Sequence, residues 1–194
     1  MILLASQSAA RKSMLEAAGL SFRTSSSPLD EEAAKLRLRG EGPGARDLAL
    51  RLAEAKALAL GGSGLVIGAD QTLERDDGTM LDKPASREDA RAQLRALSGR
   101  THYLHAAAAV VRDGETLWRG VETVALTMRP LGEAFLESYL DVEYEAIRWC
   151  VGGYRIEGPG VQLFSRIEGS HFAILGLPLL PLLAFLRETG ALPA

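Results

Sequence analysis

The stretch ARDLALRLAEAKALALGGSGLVIGAD, residues 45–70, decides the fold class. Residues 45–60 are rich in alanine and leucine, strong helix formers, and the run stops at Gly61-Gly62. Residues 65–68 form a short apolar run of the kind a buried strand makes, and Asp70 stands at its exit. A helix that feeds a buried strand implies helices packed on a sheet.

The same grammar extends in both directions. Upstream, Ile2 to Ala5 reads as a buried strand. Ser6-Gln7-Ser8 follows, then a helix with Met14, Leu15 and Ala18 on one face, closed by Gly19. Leu20 to Ser25 is a second candidate strand, and the charged, glycine-containing run Asp30 to Gly44 predicts a loop or ragged helix. Downstream, Asp77-Gly78 between Leu73 and Leu81 marks a hairpin. Ser86 opens a helix to Leu97 with Glu88 and Asp89 in its first turn. Asp113-Gly114 joins two long strands, Thr101 to Val111 and Glu115 to Met128. Gly132 to Leu140 is helical, Val151 to Gly160 is glycine-rich, Val161 to Ile167 is a strand and Leu179 to Glu188 a last helix. With no repeat, low-complexity segment or linker, this is an α/β or α+β fold with a mixed sheet. Its 194 residues suit one domain, with room for two lobes.

Apolar residues make up 47% and charged residues 24%, the balance of a globular chain. The net charge of −3 argues against a nucleic-acid binder that works by neutralising many phosphates, but not against a local basic pocket for one polyphosphate. Cys150 is the one cysteine, so no intramolecular disulfide forms, and beside Trp149 and Val151 it is expected to be a small buried apolar residue. Met1 to Leu4 is too short for a secretory core. Ile174 to Leu186, interrupted by Pro178 and Pro181, is too short to span a bilayer. The expectation is a cytoplasmic protein without membrane attachment. Arginines outnumber lysines 18 to 4, and the four lysines are Lys12, Lys35, Lys56 and Lys83.

Some patterns imitate chemistry. Gly62-Ser63-Gly64 with Gly68 resembles a dinucleotide fingerprint, but it leaves a helix and enters a strand, the reverse of the required order. No P-loop motif is present. His102 and His105 lie on an expected strand, where an odd offset sends them to opposite faces, so with His171 they read as structural or surface histidines.

Four segments place strong polar groups at turn-like positions. Ser6-Gln7-Ser8-Ala9-Ala10-Arg11-Lys12 sits between a strand and a helix, where free N–H groups and the positive dipole end suit an anion. Gly68-Ala69-Asp70-Gln71 puts a carboxylate where it can hold a metal or polarise water. Leu81-Asp82-Lys83-Pro84 follows the hairpin. In Gly152-Gly153-Tyr154-Arg155-Ile156-Glu157-Gly158-Pro159-Gly160, glycines flank a carboxylate and let backbone approach a ligand. Each alone is a weak signal, since a charge in a loop is usually solvated.

In this order the four resemble the Maf family of nucleotide pyrophosphatases. Further phrases carry the resemblance across nearly the whole chain: Leu29-Asp30-Glu31, Arg51-Leu52-Ala53 with Lys56, Leu97-Ser98-Gly99-Arg100-Thr101-His102, Ile167-Glu168-Gly169 and Gly176-Leu177-Pro178-Leu179. The chain departs at Ala9-Ala10, where the family commonly has a proline and then a large residue. The resemblance implies a two-lobed mixed-sheet α/β fold, related to that of inosine-triphosphate pyrophosphatases, with a central cleft and one domain over residues 1–194. It implies a nucleoside triphosphate substrate, a divalent cation, Mg²⁺ or Mn²⁺, and frequent homodimers. Ser8, Arg11, Lys12, Lys56 and Lys83 would grip phosphates. Glu31 and Asp70 would hold the metal, and Asp70 would also orient or deprotonate water. Ala10, Gln71 and Glu157 would set the base, and the pairing of glutamine with glutamate resembles the branch acting on 7-methyl-GTP. Rival readings are a dTTP/UTP pyrophosphatase, a nucleotide-binding septation regulator without turnover, and a nucleotidyltransferase running in reverse.

Overall fold

A computed structural model describes residues 1–193. The elements in chain order are β1 (Ile2–Ala5), α1 (Ala9–Ala17), β2 (Arg23–Thr24), α2 (Glu31–Gly40), α3 (Ala45–Leu60), β3 (Leu65–Arg75), β4 (Met80–Leu81), α4 (Arg87–Leu97), β5 (Thr101–Arg112), β6 (Glu115–Met128), α5 (Glu133–Ile147), β7 (Phe164–Glu168), α6 (His171–Ile174) and α7 (Leu179–Glu188). The strands make one seven-stranded sheet in the order β2-β1-β3-β5-β6-β7, with β4 on β3. β1 runs parallel to β2 and β3, while β3–β4 and β6–β7 are antiparallel, so the sheet is mixed as expected.

The chain divides into two compact units. The first contains Met1–Gln71, His105–Thr123 and the segment from Ser170, the second Thr72–Leu104 and Val124–Gly169. In the first unit, Ile2, Leu4, Leu15, Ile67, Val110, Leu182 and Leu186 are buried together. Each such side chain contributes about 1.5–3 kcal/mol on leaving water. Gly68 sets the spacing between β3 and α3. A Cβ there would meet the Ala53 carbonyl and the Ala57 amide. Only glycine on the strand, facing alanines on the helix, lets the two backbones come so close, and Lys56 lies on that same stretch of α3.

In the second unit, Leu94, Leu97, Leu136, Leu140 and Ile147 of α4 and α5 are buried. Three arginines one turn apart on α4 face three carboxylates one turn apart on α5. Arg87 reaches Glu137 (2.9 Å) and Asp141 (2.6 Å), Arg91 reaches Glu133 (2.9 Å) and Glu137 (2.7 Å), and Arg95 Nε reaches Glu133 (2.7 Å).

Asp30 to Gly44, expected to be a loop or ragged helix, is helical over Glu31–Gly40, and three further expectations need correction. Asp30 caps α2, its Oδ1 accepting from Ala33 N (3.0 Å), with Glu31 and Glu32 in the first turn and Arg37 and Arg39 in the last. Both sets of charges suit the helix dipole, and Ala34 and Leu38 supply the buried face. β3 does not stop before Asp70 but runs to Arg75, because Gln71-Thr72-Leu73 continues the extended chain into the hairpin. Asp70 is therefore mid-strand. α5 continues past Leu140 to Ile147. Of Val161 to Ile167, the first residues belong to a 3₁₀ turn (Pro159–Leu163), and β7 begins at Phe164.

Candidate active site

The turn from β1 into α1 prepares an anion site. Ser8 caps α1, its Oγ accepting from Arg11 N (3.4 Å), and Ser8 N donates to Ser6 Oγ (3.3 Å). Next to it lies a hollow of about 340 Å³ lined by Ser6, Gln7, Ser8, Lys12, Thr24, Ser25 and Ser26. Hydroxyls, one ammonium and the positive end of a helix face the same space, which suits phosphate oxygens. Lys12 is half exposed and 3.7 Å from Glu16 one turn on.

Three of the expected site residues meet in one cluster. Lys56 Nζ lies 2.7 Å from Asp70 Oδ1 and 3.0 Å from Glu31 Oε2. The lysine side chain is 8% exposed and Asp70 15%, whereas Glu31, in the first turn of α2, is 53% exposed. The lysine backbone is held as well, since Ser27 Oγ donates to Lys56 O (3.0 Å). The cluster is thus a buried ammonium shared by two carboxylates, one of them open to water.

Arg11 ties this cluster to the helix end. Its Nη1 donates to Ala69 O (3.1 Å) and Ser6 Oγ (3.3 Å), and its Nε to Gly176 O (2.9 Å). Gly176 has φ +101, and a Cβ there would press on the guanidinium, so glycine is needed for the approach. Burial pulls the Arg11 pKa down, and the carboxylates of Asp70 and Glu31 oppose that pull. Gln71 is also committed, its Nε2 donating to Ala173 O (2.8 Å) and Ile174 O (3.0 Å). The first unit therefore holds Ser8, Ala10, Arg11, Lys12, Glu31, Lys56, Asp70 and Gln71. Ala10 is half-buried in the first turn of α1.

Lys83 and Glu157 belong to the second unit, and both are exposed. Burial, then Glu157, pushes the half-buried Cys150 thiol up, with Glu143 adding to it, while Arg155 and Lys83 oppose it. The segment that carries Glu157 is pinned twice. Arg155 grips the buried Glu143 of α5 through Nε–Oε2 (2.6 Å) and Nη2–Oε1 (3.1 Å). Tyr154 OH lies 2.7 Å from Nε2 of the buried His102, and both rings pack on Phe164. Burial pushes the His102 pKa down to about 4, so the ring is neutral near pH 7.

Several contributors escaped the sequence reading. Thr24, Ser25 and Ser26 line the hollow because β2 pairs with β1, a contact between segments that no local pattern announces. Glu143 and Arg155 had only their charge as a signal. The three histidines were expected to be structural or surface residues: His102 is buried with Tyr154 as its partner, His105 is buried and shares a 2.9 Å bond with Thr123, and His171 is exposed. Among the described residues no helix is long and apolar enough to cross a membrane.

A helix start suited to an anion and a carboxylate–lysine–carboxylate cluster thus lie in one unit of a mixed-sheet protein, and the comparisons give its class. The family model described as Maf-like protein matches residues 1–189, and the chain belongs to that family. A nucleoside triphosphate pyrophosphatase from Sphingopyxis alaskensis is 48% identical over 99% of this chain and 98% of its own. One so named from Nitrobacter winogradskyi is 53% identical over 96% of this chain and 93% of its own. A 7-methyl-GTP pyrophosphatase from Rhizobium meliloti is 44% identical over 100% of this chain and 98% of its own.

Proposed function

We propose that this chain hydrolyses nucleoside triphosphates to the monophosphate and pyrophosphate, with a preference for guanine-type bases, 7-methylguanine among them. The observation that carries the reading is the Glu31–Lys56–Asp70 cluster, tied by Arg11 to the serine-lined end of α1. A water oxygen forms a bond to the α-phosphorus, the bond from that phosphorus to the bridging oxygen breaks, and pyrophosphate leaves. Asp70 orients the water and takes its proton. A triphosphate carries about four negative charges near neutral pH, which must be offset before a nucleophile can approach. The α1 end with Ser8 and Lys12 offsets part of that charge. Arg11 and Lys56 add to the field.

A divalent cation fits this donor set. Mg²⁺ is commonly bound through one or two carboxylates plus substrate phosphates, and Glu31 and Asp70 are two hard-oxygen carboxylates brought to within reach of one ammonium. When bound, Mg²⁺ or Mn²⁺ supplies charge neutralisation and a more acidic water.

The base preference follows from hydrogen-bond chemistry. With its amino group held by two backbone carbonyls, Gln71 can offer a base only the acceptor Oε1. Taken by itself, an ionised Glu157 is acceptor-only and can accept two bonds from one base. Guanine presents two adjacent donors, N1–H and the amino group, whereas uracil and thymine present one, N3–H. A 7-methyl group makes the base cationic, which a carboxylate favours further. The test is pyrophosphate release with Mg²⁺ from GTP, 7-methyl-GTP, ATP, dTTP and UTP. The proposal expects the guanine pair to lead, and faster turnover of dTTP or UTP than of every purine would overturn the base assignment.

A further inference from the structure

We propose that Lys56 is the resident counter-ion of the Glu31–Asp70 pair, and that its ammonium competes with a divalent cation for the same two carboxylates. The inference rests on the reading above and departs from it in one respect. Lys56 then acts as a positioning residue that governs when the metal binds, rather than as a phosphate ligand from the start. The distances are those of charge-assisted bonds, 2.7 Å to Asp70 and 3.0 Å to Glu31, so one ammonium serves both acids at once. With 8% of its side chain exposed, Lys56 has little water to replace either partner.

The stem has little freedom to leave. Its helix lies against β3 at Gly68, where a Cβ would strike Ala53 O and Ala57 N, and Ser27 Oγ holds the Lys56 carbonyl. Glu31 is anchored differently, at the start of α2 behind the Asp30 cap, and would be a loose, solvated acid without the ammonium to hold it. Arg11, the other nearby cation, has its Nε and Nη1 donors committed to Ala69 O, Ser6 Oγ and Gly176 O, and it acts on the two acids through its field. Without nucleotide, then, one internal charge already occupies both carboxylates and offsets half of their charge, and a metal ion gains less by entering. A triphosphate changes the balance. It brings its own oxygens for the metal and a new acceptor for the ammonium, so metal and nucleotide bind together.

The experiment measures Mn²⁺ binding to the nucleotide-free protein by electron paramagnetic resonance, for the natural chain, Lys56→Met and Lys56→Arg. Methionine keeps the bulk of the stem and removes the charge. The proposal expects Lys56→Met to bind Mn²⁺ about tenfold tighter or more, since the carboxylates lose their competitor, and Lys56→Arg to stay near the natural value. Lys56→Gln carries the same expectation as methionine should the latter not fold. Unchanged or weaker Mn²⁺ binding in a folded Lys56→Met or Lys56→Gln protein overturns the proposal. Pyrophosphate release by the natural chain is measured separately. If that release is present while Mn²⁺ binding does not tighten, the role of Lys56 is wrong and the reaction stands. If release is absent, the reaction is wrong whatever Mn²⁺ does.

Discussion

The two units use the same pairs of charges to different ends. In the first, one lysine at 8% exposure serves Asp70, 15% exposed on β3, and Glu31, 53% exposed on α2, so the lysine and one of its two acids are withdrawn from water. In the second, Arg87, Arg91 and Arg95 form a ladder with Glu133, Glu137 and Asp141, and its members are between 33% and 71% exposed. Distances in the two assemblies are alike, so geometry does not distinguish them. Water does. In the ladder it screens each pair, and loss of one partner leaves the other hydrated. In the buried cluster, loss of one partner leaves a charge that the protein must answer. The proposed chemistry uses charges with few alternatives, and under the same proposal the ladder is scaffolding.

The largest expected effect is at Asp70. Asp70→Asn keeps the shape and removes the charge, so turnover should fall about 10²–10⁴-fold while nucleotide still binds. Steady-state rates with a parallel binding titration check this, and a near-normal rate would move the chemistry away from the buried cluster. Next is a buried group of the second unit that is not an ion pair. His102 is held neutral with a pKa of about 4 against an ordinary 6.5. The unfolded chain takes up a proton first as pH falls, so the stability associated with the neutral ring is complete above about 6.5 and drains away toward 4. The loss is on the order of 3 kcal/mol over that window. Urea unfolding at a series of pH values should show it in the natural chain and much less in His102→Gln. Equal slopes in both proteins would mean that another group titrates.

At the exposed carboxylate of the same unit, Glu157→Gln should shift kcat/KM toward UTP and dTTP relative to GTP by about 1–3 kcal/mol, the scale of one bidentate base contact. An unchanged ratio would remove Glu157 from base recognition. The smallest effect is in the ladder. Hydrogen bonds from Arg95 and Arg91 lower the Glu133 pKa to about 2, so its contribution is present above the ordinary glutamate range and fades as pH falls toward 2. Because Glu133 is exposed, Glu133→Gln should leave the thermal midpoint nearly unmoved at neutral pH, with any difference gone in about 1 M salt. A large drop would place the ladder with the buried cluster.

What could be read in advance follows the range of the forces. α3 and α7 were legible to the residue, because each is a run of helix formers with its own stop signal. α2 was legible only as one of two readings, loop or ragged helix, because its charges hid the small buried face of Ala34 and Leu38. The continuation of β3 was lost because Asp70-Gln71 looks like the end of an apolar strand, whereas sheet neighbours keep it extended. The family phrases named Asp70, Lys56 and Glu31. Only the structure brings Lys56 to both acids and commits Arg11 and Gln71 to backbone carbonyls, since those bonds depend on distances between segments far apart in sequence. The ladder spacing, Arg87-Arg91-Arg95 and Glu133-Glu137-Asp141, was visible in the sequence, but which helix faces which was not.

Hydrolysis of GTP in ¹⁸O-labelled water with Mg²⁺, followed by mass analysis of both products, tests the central claim most directly. Attack on the α-phosphorus predicts GMP and pyrophosphate as products, with the heavy oxygen in GMP alone. Label in the pyrophosphate, or release of GDP and orthophosphate, would contradict the account.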